Sequence, residues 1–258
     1  MSLHSSNRQL ISANLRKPIA WLIAAVLMLT AACSNEAKQA ASESTIAPAA
    51  EQPSAEDEAA RVAEWEAQVQ RTKDVLDSMD REALIGAAYT KGPRDADIVL
   101  IKFSDFECPY CAVAASNVKS FVADNEDVLY IYKNFPLTSI HPEAMPAAKA
   151  AWAAGQQDKF WLYHDGLFAF QDKLGEEYYV SLAKEIGLDM EKFERDRNSP
   201  EAQAAIDQDT KLAESLQVRG TPTFFLNQYQ IPGDMSAQGF AQALAALKAE
   251  MQQEKSAQ

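Results

Sequence analysis

Hydrophobic and polar positions recur with different periods along the chain, and the first clear period is helical. Between residues 56 and 83, apolar or small side chains return at spacings of three and four, which places them on one helical face. These positions are Val62, Trp65, Val69, Thr72, Leu76, Met79 and Ala83. We therefore predict an amphipathic N-terminal helix. Its apolar face packs on its own domain or pairs with a second copy, and the pattern leaves both interpretations open.

The next apolar stretches predict two buried strands around a helix. DADIVLIKFSDF and DVLYIYKNFPL are rich in β-branched and aromatic residues, as strands are. PYCAVAASNVKSFVADN lies between them and predicts a helix with Pro109 in its first turn, where the missing proline N–H is not needed. Further along the chain, TPTFFLN and YQIPG predict two strands that form a hairpin.

A long stretch without strand patterns separates these two strand pairs. Residues 143–216 hold Ala-rich and amphipathic segments broken by glycine and proline, which predicts a block of several helices. A last amphipathic helix follows at residues 236–252, and residues 253–258 are expected to be a disordered tail. The order of elements predicts an α/β domain at residues 84–252 with an inserted all-helical subdomain at about 143–216.

The N-terminus has the pattern of an export signal. Three basic residues and no acidic one precede the uncharged run Ile19–Ala32, which is too short to span a bilayer. The run closes on LTAACS, which resembles a bacterial lipobox, where the cysteine is acylated and becomes the mature N-terminus. We expect residues 1–32 to be a lipoprotein signal peptide and Cys33 to carry lipid, with ordinary cleavage or an uncleaved anchor as alternatives. Residues 33–55 lack the apolar content to fold and predict a flexible tether.

The charge balance excludes one class of partner. The chain has 24 basic and 37 acidic residues, which gives a net charge of −13. An acidic surface repels phosphate backbones, so nucleic acid is not expected to bind.

Two of the three cysteines form the motif Cys108-Pro109-Tyr110-Cys111. Residues i and i+3 of a helix share one face, so these two thiols are close enough to form a disulfide. Zinc binding is disfavoured because the chain has no second CxxC and its three histidines lack a ligand spacing. A purely structural disulfide is disfavoured because so small a ring removes little chain entropy. A redox-active pair is the favoured interpretation.

The position of Cys108 at a helix start predicts an asymmetric pair. Free N–H groups and the positive end of the helix dipole stabilise a thiolate there, which lowers the pKa of the thiol. We expect Cys108 to be the nucleophile and the more buried Cys111 to resolve the mixed disulfide. A proline directly before a strand, Pro222, is explained by a cis Thr221–Pro222 bond. The backbone of Thr221 is then expected to face the cysteines and bind an incoming peptide.

These motifs together resemble one family. FSDFECPYC, GTPTFFLN and the helical block between them are similar to the DsbA-like thiol-disulfide oxidoreductases, which have a thioredoxin fold with a helical insertion. The resemblance covers about residues 84–252. It implies that Cys108 attacks, that Cys111 resolves, and that Pro222 is the cis-proline beside them.

Two departures from the family concern the site. Lys102 stands six positions before Cys108, where many relatives carry an acidic residue that accepts a proton. An ammonium there is expected to stabilise the Cys108 thiolate if it points inward. The dipeptide Pro109-Tyr110 replaces the Pro-His of the strongest oxidants, which favours a milder potential.

Other conspicuous side chains are assigned to packing. His141 and His164 are expected to pack or to form surface hydrogen bonds rather than to catalyse. The large aromatic residues of the helical block are expected to form its core: Trp152, Phe160, Trp161 and Phe168.

The sequence as a whole predicts an exported thiol-disulfide oxidoreductase that acts on cysteine-containing exported proteins and needs no metal or organic cofactor. A disulfide-forming oxidase, re-oxidised by a membrane redox partner, is the favoured activity. An isomerase or reductase would use the same residues, and a homodimer formed through residues 56–83 would favour isomerase. A tethered binding or adaptor module without redox turnover is the alternative from another class.

The expected location follows from the export signal. We expect the periplasmic side of the cell envelope, with the chain anchored in the lipid membrane through Cys33. Ser34 after that cysteine favours the outer over the inner membrane in a Gram-negative host. A soluble periplasmic protein is the alternative.

Overall fold

The computed structural model describes residues 54–257. The predicted signal peptide, Cys33 and nearly all of the predicted tether lie outside these residues. The helices are α1 (Ala55–Asp77), α2 (Arg81–Ile85), α3 (Pro109–Asp124), α4 (Ala144–Gly155), α5 (Phe160–Ala169), α6 (Glu176–Glu185), α7 (Met190–Arg197), α8 (Pro200–Ser215) and α9 (Ala237–Ser256). The strands are β1 (Tyr89–Lys91), β2 (Ile98–Ser104), β3 (Val128–Asn134), β4 (Thr223–Leu226) and β5 (Tyr229–Ile231), and a 3₁₀ turn occupies Gln171–Lys173.

A mixed five-stranded sheet forms the centre of the fold, with the strand order β1-β3-β2-β4-β5. β2 and β3 are parallel neighbours, and the other adjacent pairs are antiparallel. Every residue of β2 and β3 is buried, as expected for central strands covered on both faces. Their sequences are therefore nearly continuous apolar runs, and the predicted α/β class is confirmed.

One large apolar cluster joins the sheet to helices α2 and α8. Side chains at alternate positions of β2 and β3 point to the same face and pack together there. The strand residues of the cluster are Val99, Ile101, Phe103, Leu129, Ile131 and Phe225. The cluster also contains Leu212 and Ala213 of α8, Leu216 and Val218 directly after that helix, and Leu84 and Ile85 of α2. The cluster thus covers one face of β2, the strand that leads into the cysteine motif.

The predicted all-helical insertion is present between β3 and β4. Its central helix, α4, packs against α5, α7 and α8. Seven small residues of α4 are buried and let these helices approach closely: Ala144, Ala147, Ala148, Ala150, Ala151, Ala153 and Ala154. Of the aromatic residues predicted for the core, Phe160 and Phe168 are buried, whereas Trp152 and Trp161 are only half-buried.

The N-terminal helix is shorter than the predicted 56–83 and is followed by a second one. Helix α1 ends at Asp77, and α2 begins at Arg81. The break occurs because the Asp80 carboxylate accepts a hydrogen bond from Ala83 N at 2.7 Å and starts a new helix. The apolar spacing of three and four residues continues across this cap. The sequence pattern alone therefore predicts one helix where the structure has two.

The apolar stripe of α1 packs on the sheet of its own chain. Trp65 stacks on Tyr229 of β5 with ring centroids 6.1 Å apart. Gln68 is hydrogen-bonded to Gln230 of the same strand, and Leu76 packs against the apolar cluster behind β2. Helix α1 therefore packs on its own domain, which is one of the two interpretations of its apolar face. Pairing with a second copy of the chain stays a prediction.

The C-terminal helix runs further than predicted. Residues 253–256, assigned to a disordered tail, form the last turn of α9. They contain no apolar side chain, but glutamine, glutamate and lysine are good helix formers and extend the helix without being buried. The apolar residues of α9 that are buried are Phe240, Ala243, Leu244 and Leu247.

Candidate active site

Strand β2 and helix α3 position the cysteine motif. β2 ends at Ser104, and Cys108 is the N-cap of α3, with Pro109 as the first helical residue. Cys108 has an extended backbone, with φ −73° and ψ 119°, and Cys111 N donates to its carbonyl at 3.0 Å. The helix therefore begins directly after Cys108, where the sequence placed its start.

Both thiols are free, and their exposure differs. Cys108 keeps 4% of its surface exposed and Cys111 keeps none. A sulfur atom of another molecule can therefore approach Cys108 first. Cys111 is in reach only of atoms already inside the site.

The loop that precedes β4 lies against Cys108. The Thr221–Pro222 peptide bond is cis, as the sequence predicts. Sγ of Cys108 lies 3.3 Å from the carbonyl oxygen of Thr221, to which the protonated thiol donates, although the two residues are 113 positions apart. The two motifs quoted from the sequence thus meet at one site.

Electrostatics separates the two cysteines. The hydrogen bond from the Cys111 thiol lowers the pKa of Cys108 to about 5, assisted by the Thr221 side chain and by the N–H groups of Cys111 and Tyr110, while burial opposes the shift. Burial raises the pKa of Cys111 above its usual range, and the hydrogen bond to Cys108 adds to this. At neutral pH the pair therefore holds one thiolate, on Cys108, and one thiol, on Cys111.

Alkylation of the reduced protein by iodoacetamide is expected to show this asymmetry. Only the thiolate reacts, so the rate should reach half of its plateau near pH 5, the pKa of Cys108. In Cys111→Ala, which lacks the hydrogen-bonding thiol, the midpoint is expected at higher pH. A midpoint above about 8 in the unmodified protein, the range of an ordinary cysteine, contradicts the assignment.

The Lys102 side chain points inward, towards the cysteine pair. Its side chain lies on β2 and is completely buried, and Nζ donates to the carbonyl oxygen of Cys111 at 3.3 Å. Burial lowers the pKa of Lys102 to about 8, while the charges of Cys111 and Cys108 oppose the shift. The site thus places a cation, not an acid, behind the cysteine pair.

Asp105 and His141 are contacts of the site that sequence reasoning missed. The buried Asp105 carboxylate accepts hydrogen bonds from Glu107 N at 2.8 Å and Leu137 N at 2.9 Å, and its Oδ2 lies 2.8 Å from His141 Nδ1. The carboxylate therefore holds the turn that leads into Cys108. His141 was assigned to packing or surface hydrogen bonding, and no spacing signal could pair residues 36 positions apart.

Exposed apolar side chains belong to the segments that contact the cysteine motif. Tyr110 and Val113 of α3 are 72% and 66% exposed. Ile140, 67% exposed, is next to His141, and Phe170, 46% exposed, is next to Gln171, whose Nε2 donates to the Cys108 carbonyl at 2.9 Å. We call Tyr110, Val113, Ile140 and Phe170 the apolar rim. Their exposure next to a reactive thiol is typical of a surface that contacts another molecule.

Within residues 54–257, no group of three or more His, Cys, Asp or Glu side chains is placed to hold a metal ion. The groups that the site offers for a reaction are the two cysteine sulfurs and the buried Lys102 ammonium. The apolar rim offers contact area for another molecule.

Comparison with known proteins assigns the domain that holds this site. The family model Thioredoxin_4, described as thioredoxin, matches residues 84–246. The chain belongs to this thioredoxin family. A thioredoxin-like oxidoreductase from Silicibacter pomeroyi DSS-3 is 31% identical, with a TM-score of 0.61 over 66% of this chain and 99% of its own.

More distant thioredoxin-family structures share the fold. The thiol-disulfide exchange protein alpha-DsbA2 from Wolbachia pipientis is 20% identical, with a TM-score of 0.62 over 70% of this chain and 98% of its own. The catalytic domain of Proteus mirabilis ScsC is 22% identical, with a TM-score of 0.56 over 67% and 98%. The predicted thioredoxin-like fold and the class of oxidoreductase are confirmed. The DsbA-type thiol-disulfide exchange protein shares this fold with the chain.

The curated relatives are longer proteins. The Na(+)/H(+) antiporter NhaA 3 from Salinispora tropica is 36% identical over 156 residues, which is 60% of this chain and 24% of that protein. NhaA 1 from Salinispora arenicola is 35% identical over the same shares. The chain thus spans about a quarter of the length of these relatives. None of the helices between residues 54 and 257 is both long and apolar enough to cross a membrane.

Proposed function

We propose that this thioredoxin-family protein is an exported disulfide-forming oxidase. The observation that carries the proposal is the geometry of the cysteine pair: Cys108 is the N-cap of α3 beside the cis Thr221–Pro222 bond, and Cys111 is fully buried behind it. This arrangement lowers the pKa of Cys108 to about 5 and raises that of Cys111. A thiolate that is stabilised only in the reduced protein makes the disulfide easier to reduce. Each 1.4 kcal/mol of such stabilisation raises the potential by about 30 mV, so the pair tends to give its disulfide away.

The reaction takes two exchange steps. A substrate thiolate attacks Sγ of Cys108 in the Cys108–Cys111 disulfide, the S–S bond breaks, and Cys111 leaves as a thiolate that takes up a proton. A second substrate thiolate then attacks the substrate sulfur of the mixed disulfide and displaces Cys108. The substrate loses two electrons and gains a disulfide, and the enzyme becomes the dithiol. The low pKa of Cys108 makes it a good leaving group in the second step.

The proposed substrates are cysteine-containing exported proteins in an extended or partly folded state. The apolar rim offers contact area for side chains next to the reacting cysteine, and the backbone of Thr221 lies at Cys108 for pairing with an extended segment. A membrane redox partner would re-oxidise the dithiol. Two copies held together through residues 56–83 would present two such sites, which is the arrangement that favours isomerisation.

The proposed location is the periplasmic side of the cell envelope, through lipid on Cys33. The support is the short uncharged run after a basic segment and the lipobox-like LTAACS. Mass spectrometry of the mature N-terminus tests it, and an unmodified or absent Cys33 contradicts the anchor.

Equilibration of the protein with graded glutathione buffers tests the direction of exchange. The fraction of disulfide is expected to give a potential above about −180 mV, the range of proteins that donate disulfides. A potential below about −230 mV supports a reductase or isomerase instead. The absence of a reversible transition supports the adaptor alternative. Tyr110→His, which restores the dipeptide of the strongest oxidants, is the matched variant and is expected to raise the potential.

A further inference from the structure

A glutamine of the helical insertion is bonded to the backbone of the nucleophilic cysteine. Gln171 begins the 3₁₀ turn after α5 and follows Cys108 by 63 positions. Its Nε2 donates to the Cys108 carbonyl oxygen at 2.9 Å and to the Phe106 carbonyl oxygen at 2.6 Å. The amide group carries two protons, so each carbonyl receives one. One side chain of the insertion thus contacts both ends of the segment 106–108, which leads into α3.

The Cys108 carbonyl is also the first acceptor of helix α3. Cys111 N donates to it at 3.0 Å, so the oxygen has two donors, one from the helix and one from Gln171. As the N-cap, Cys108 has a ψ of 119° and not a helical value. This angle sets the direction of the carbonyl, and of the helix that follows, relative to the Cys108 side chain. A second hydrogen bond to the carbonyl therefore restrains that angle.

The position of the Cys108 sulfur relative to α3 depends on the same angle. The hydrogen bond from the Cys111 thiol lowers the pKa of Cys108 to about 5, and the N–H groups of Cys111 and Tyr110 assist it. All three donors belong to α3, whereas the sulfur is attached before the bond about which ψ rotates. A change of ψ at Cys108 would therefore carry these donors away from the sulfur.

The loop between β3 and α4 holds the same turn through other residues. Asp105 accepts from Leu137 N at 2.9 Å, and Glu107 Oε2 accepts from Glu143 N at 2.6 Å. These bonds fix the residues that precede the nucleophile. Gln171 adds a bond to the carbonyl of the nucleophile itself.

We propose that Gln171 is a positioning residue for Cys108, because its amide group fixes the carbonyl of the nucleophile and thereby keeps the sulfur at the first donors of α3. The inference rests on the proposed exchange reaction and names a further residue on which the reactivity of its nucleophile depends. Gln171 acts through the backbone and not on the sulfur. The preceding residue, Phe170, belongs to the apolar rim, so one short segment of the insertion both contributes to the rim and positions the nucleophile.

Gln171→Met tests the assignment, because it keeps the length of the side chain and removes both donors. The Cys108 thiolate is then expected to lose part of its contacts with the start of α3. The midpoint of alkylation by iodoacetamide should rise by about 0.5–1 pH unit above its value near 5, which is the effect of about one hydrogen bond.

The equilibrium of the full chain with glutathione provides a measurement that a purely structural role would not change. A general loss of stability affects the oxidised and the reduced protein alike, whereas a loss of thiolate contacts affects only the reduced one. At pH 7 the equilibrium constant for oxidation of glutathione by the enzyme disulfide should therefore fall about threefold to tenfold, which is about 15–30 mV. The two changes must agree, since one pH unit in the alkylation midpoint corresponds to a factor of ten.

Gln157→Met is the matched control within the insertion. The Gln157 side chain also makes two hydrogen bonds to the backbone, since its Nε2 donates to Asp189 O at 3.2 Å and its Oε1 accepts from Asp189 N at 2.8 Å. The same substitution therefore removes similar bonds away from the cysteine motif. It is expected to leave the alkylation midpoint and the glutathione equilibrium unchanged.

The ionisable groups around the turn are the same in both variants, so they cancel from the comparison. They come from each element beside it: Lys102 of β2, Asp105 and Glu107 of the turn, His141 of the loop between β3 and α4, Asp172 and Lys173 next to Gln171, and Arg219 of the loop before β4. A difference between Gln171→Met and Gln157→Met therefore measures the effect of the lost bonds to the Cys108 turn.

Three results overturn the assignment. They are an unchanged midpoint and equilibrium in Gln171→Met, equal changes in Gln157→Met, and a higher midpoint without the matching fall in the equilibrium constant. Should Gln171→Met fail to fold, judged by circular dichroism, Gln171→Ala replaces it and is expected to show the same changes. The absence of a reversible redox transition in the unmodified protein would instead contradict the proposed function, and the alkylation midpoints would still test Gln171.

Discussion

Replacing Cys108 by serine is expected to abolish disulfide exchange, whereas replacing Cys111 by serine should stop the reaction at the mixed disulfide. Cys108 is the sulfur that can be reached from outside, and Cys111 is fully buried behind it. Without the Cys108 sulfur no covalent intermediate forms, so turnover of a dithiol substrate should fall by at least about a thousandfold. Without Cys111 the variant has no disulfide of its own to donate. The Cys108 thiolate can still attack a substrate disulfide, but the enzyme then has no internal thiol to release the partner.

A substrate protein that carries disulfides and a non-reducing gel suffice to measure this. Cys111→Ser is expected to accumulate a covalent complex with the substrate that disappears on addition of a reductant, and Cys108→Ser is expected to form none. Val113→Ser, one turn along the same helix in the apolar rim, keeps both thiols and serves as the control for a general disturbance of α3. A complex formed by Cys108→Ser, or full turnover by that variant, contradicts the assigned order of the two sulfurs.

A large loss of stability is expected when a buried ion pair is broken. Lys133 Nζ lies 2.8 Å from Oδ1 of Asp209, and the two side chains are 1% and 4% exposed. Lys133 also donates to the carbonyl of Ile85 at 2.9 Å, and Asp209 accepts from Asn134 N at 2.9 Å. The pair therefore joins β3, α2 and the inserted helix α8 at one point.

Asp209→Ala is expected to lower the free energy of unfolding by about 3–5 kcal/mol, because it leaves the Lys133 ammonium buried without a counter-charge. Urea denaturation followed by circular dichroism measures the change. The double variant Lys133→Met with Asp209→Leu removes both charges and should recover most of the loss. Glu64→Ala, which breaks the exposed Arg71–Glu64 pair, should cost less than about 1 kcal/mol. If Asp209→Ala also lowers the free energy of unfolding by less than about 1 kcal/mol, water or another group compensates the charge of Lys133.

The sequence predicted those parts of the site whose signal is local. The helix start at Cys108 could be read from Pro109 and the apolar run before it, and the cis bond from the position of Pro222. Both features depend on neighbouring residues, so tertiary packing could not easily override them. The helical insertion could also be predicted, because a long Ala-rich stretch without a strand pattern favours helices.

The orientation of the two buried lysines could not be predicted in this way. Lys102 and Lys133 lie in strands whose every residue is buried, so the usual alternation between an inner and an outer face carries no information there. The sequence could name Lys102 as a departure from the family but could not place its ammonium. The contacts Asp105–His141 and Lys133–Asp209 join distant segments, and only the packing of the insertion on the sheet brings them together.

Helix α1 has a further effect through its stack on Tyr229. Strand β5 is the outermost strand on its side of the sheet, and β1 is outermost on the other, and each is only three residues long. Short outer strands, one of them contacted by a helix, give an unfolded chain little backbone to pair with, which limits edge-to-edge aggregation. An enzyme proposed to act on unfolded polypeptides can thereby react with them at one sulfur without pairing with their strands and causing aggregation.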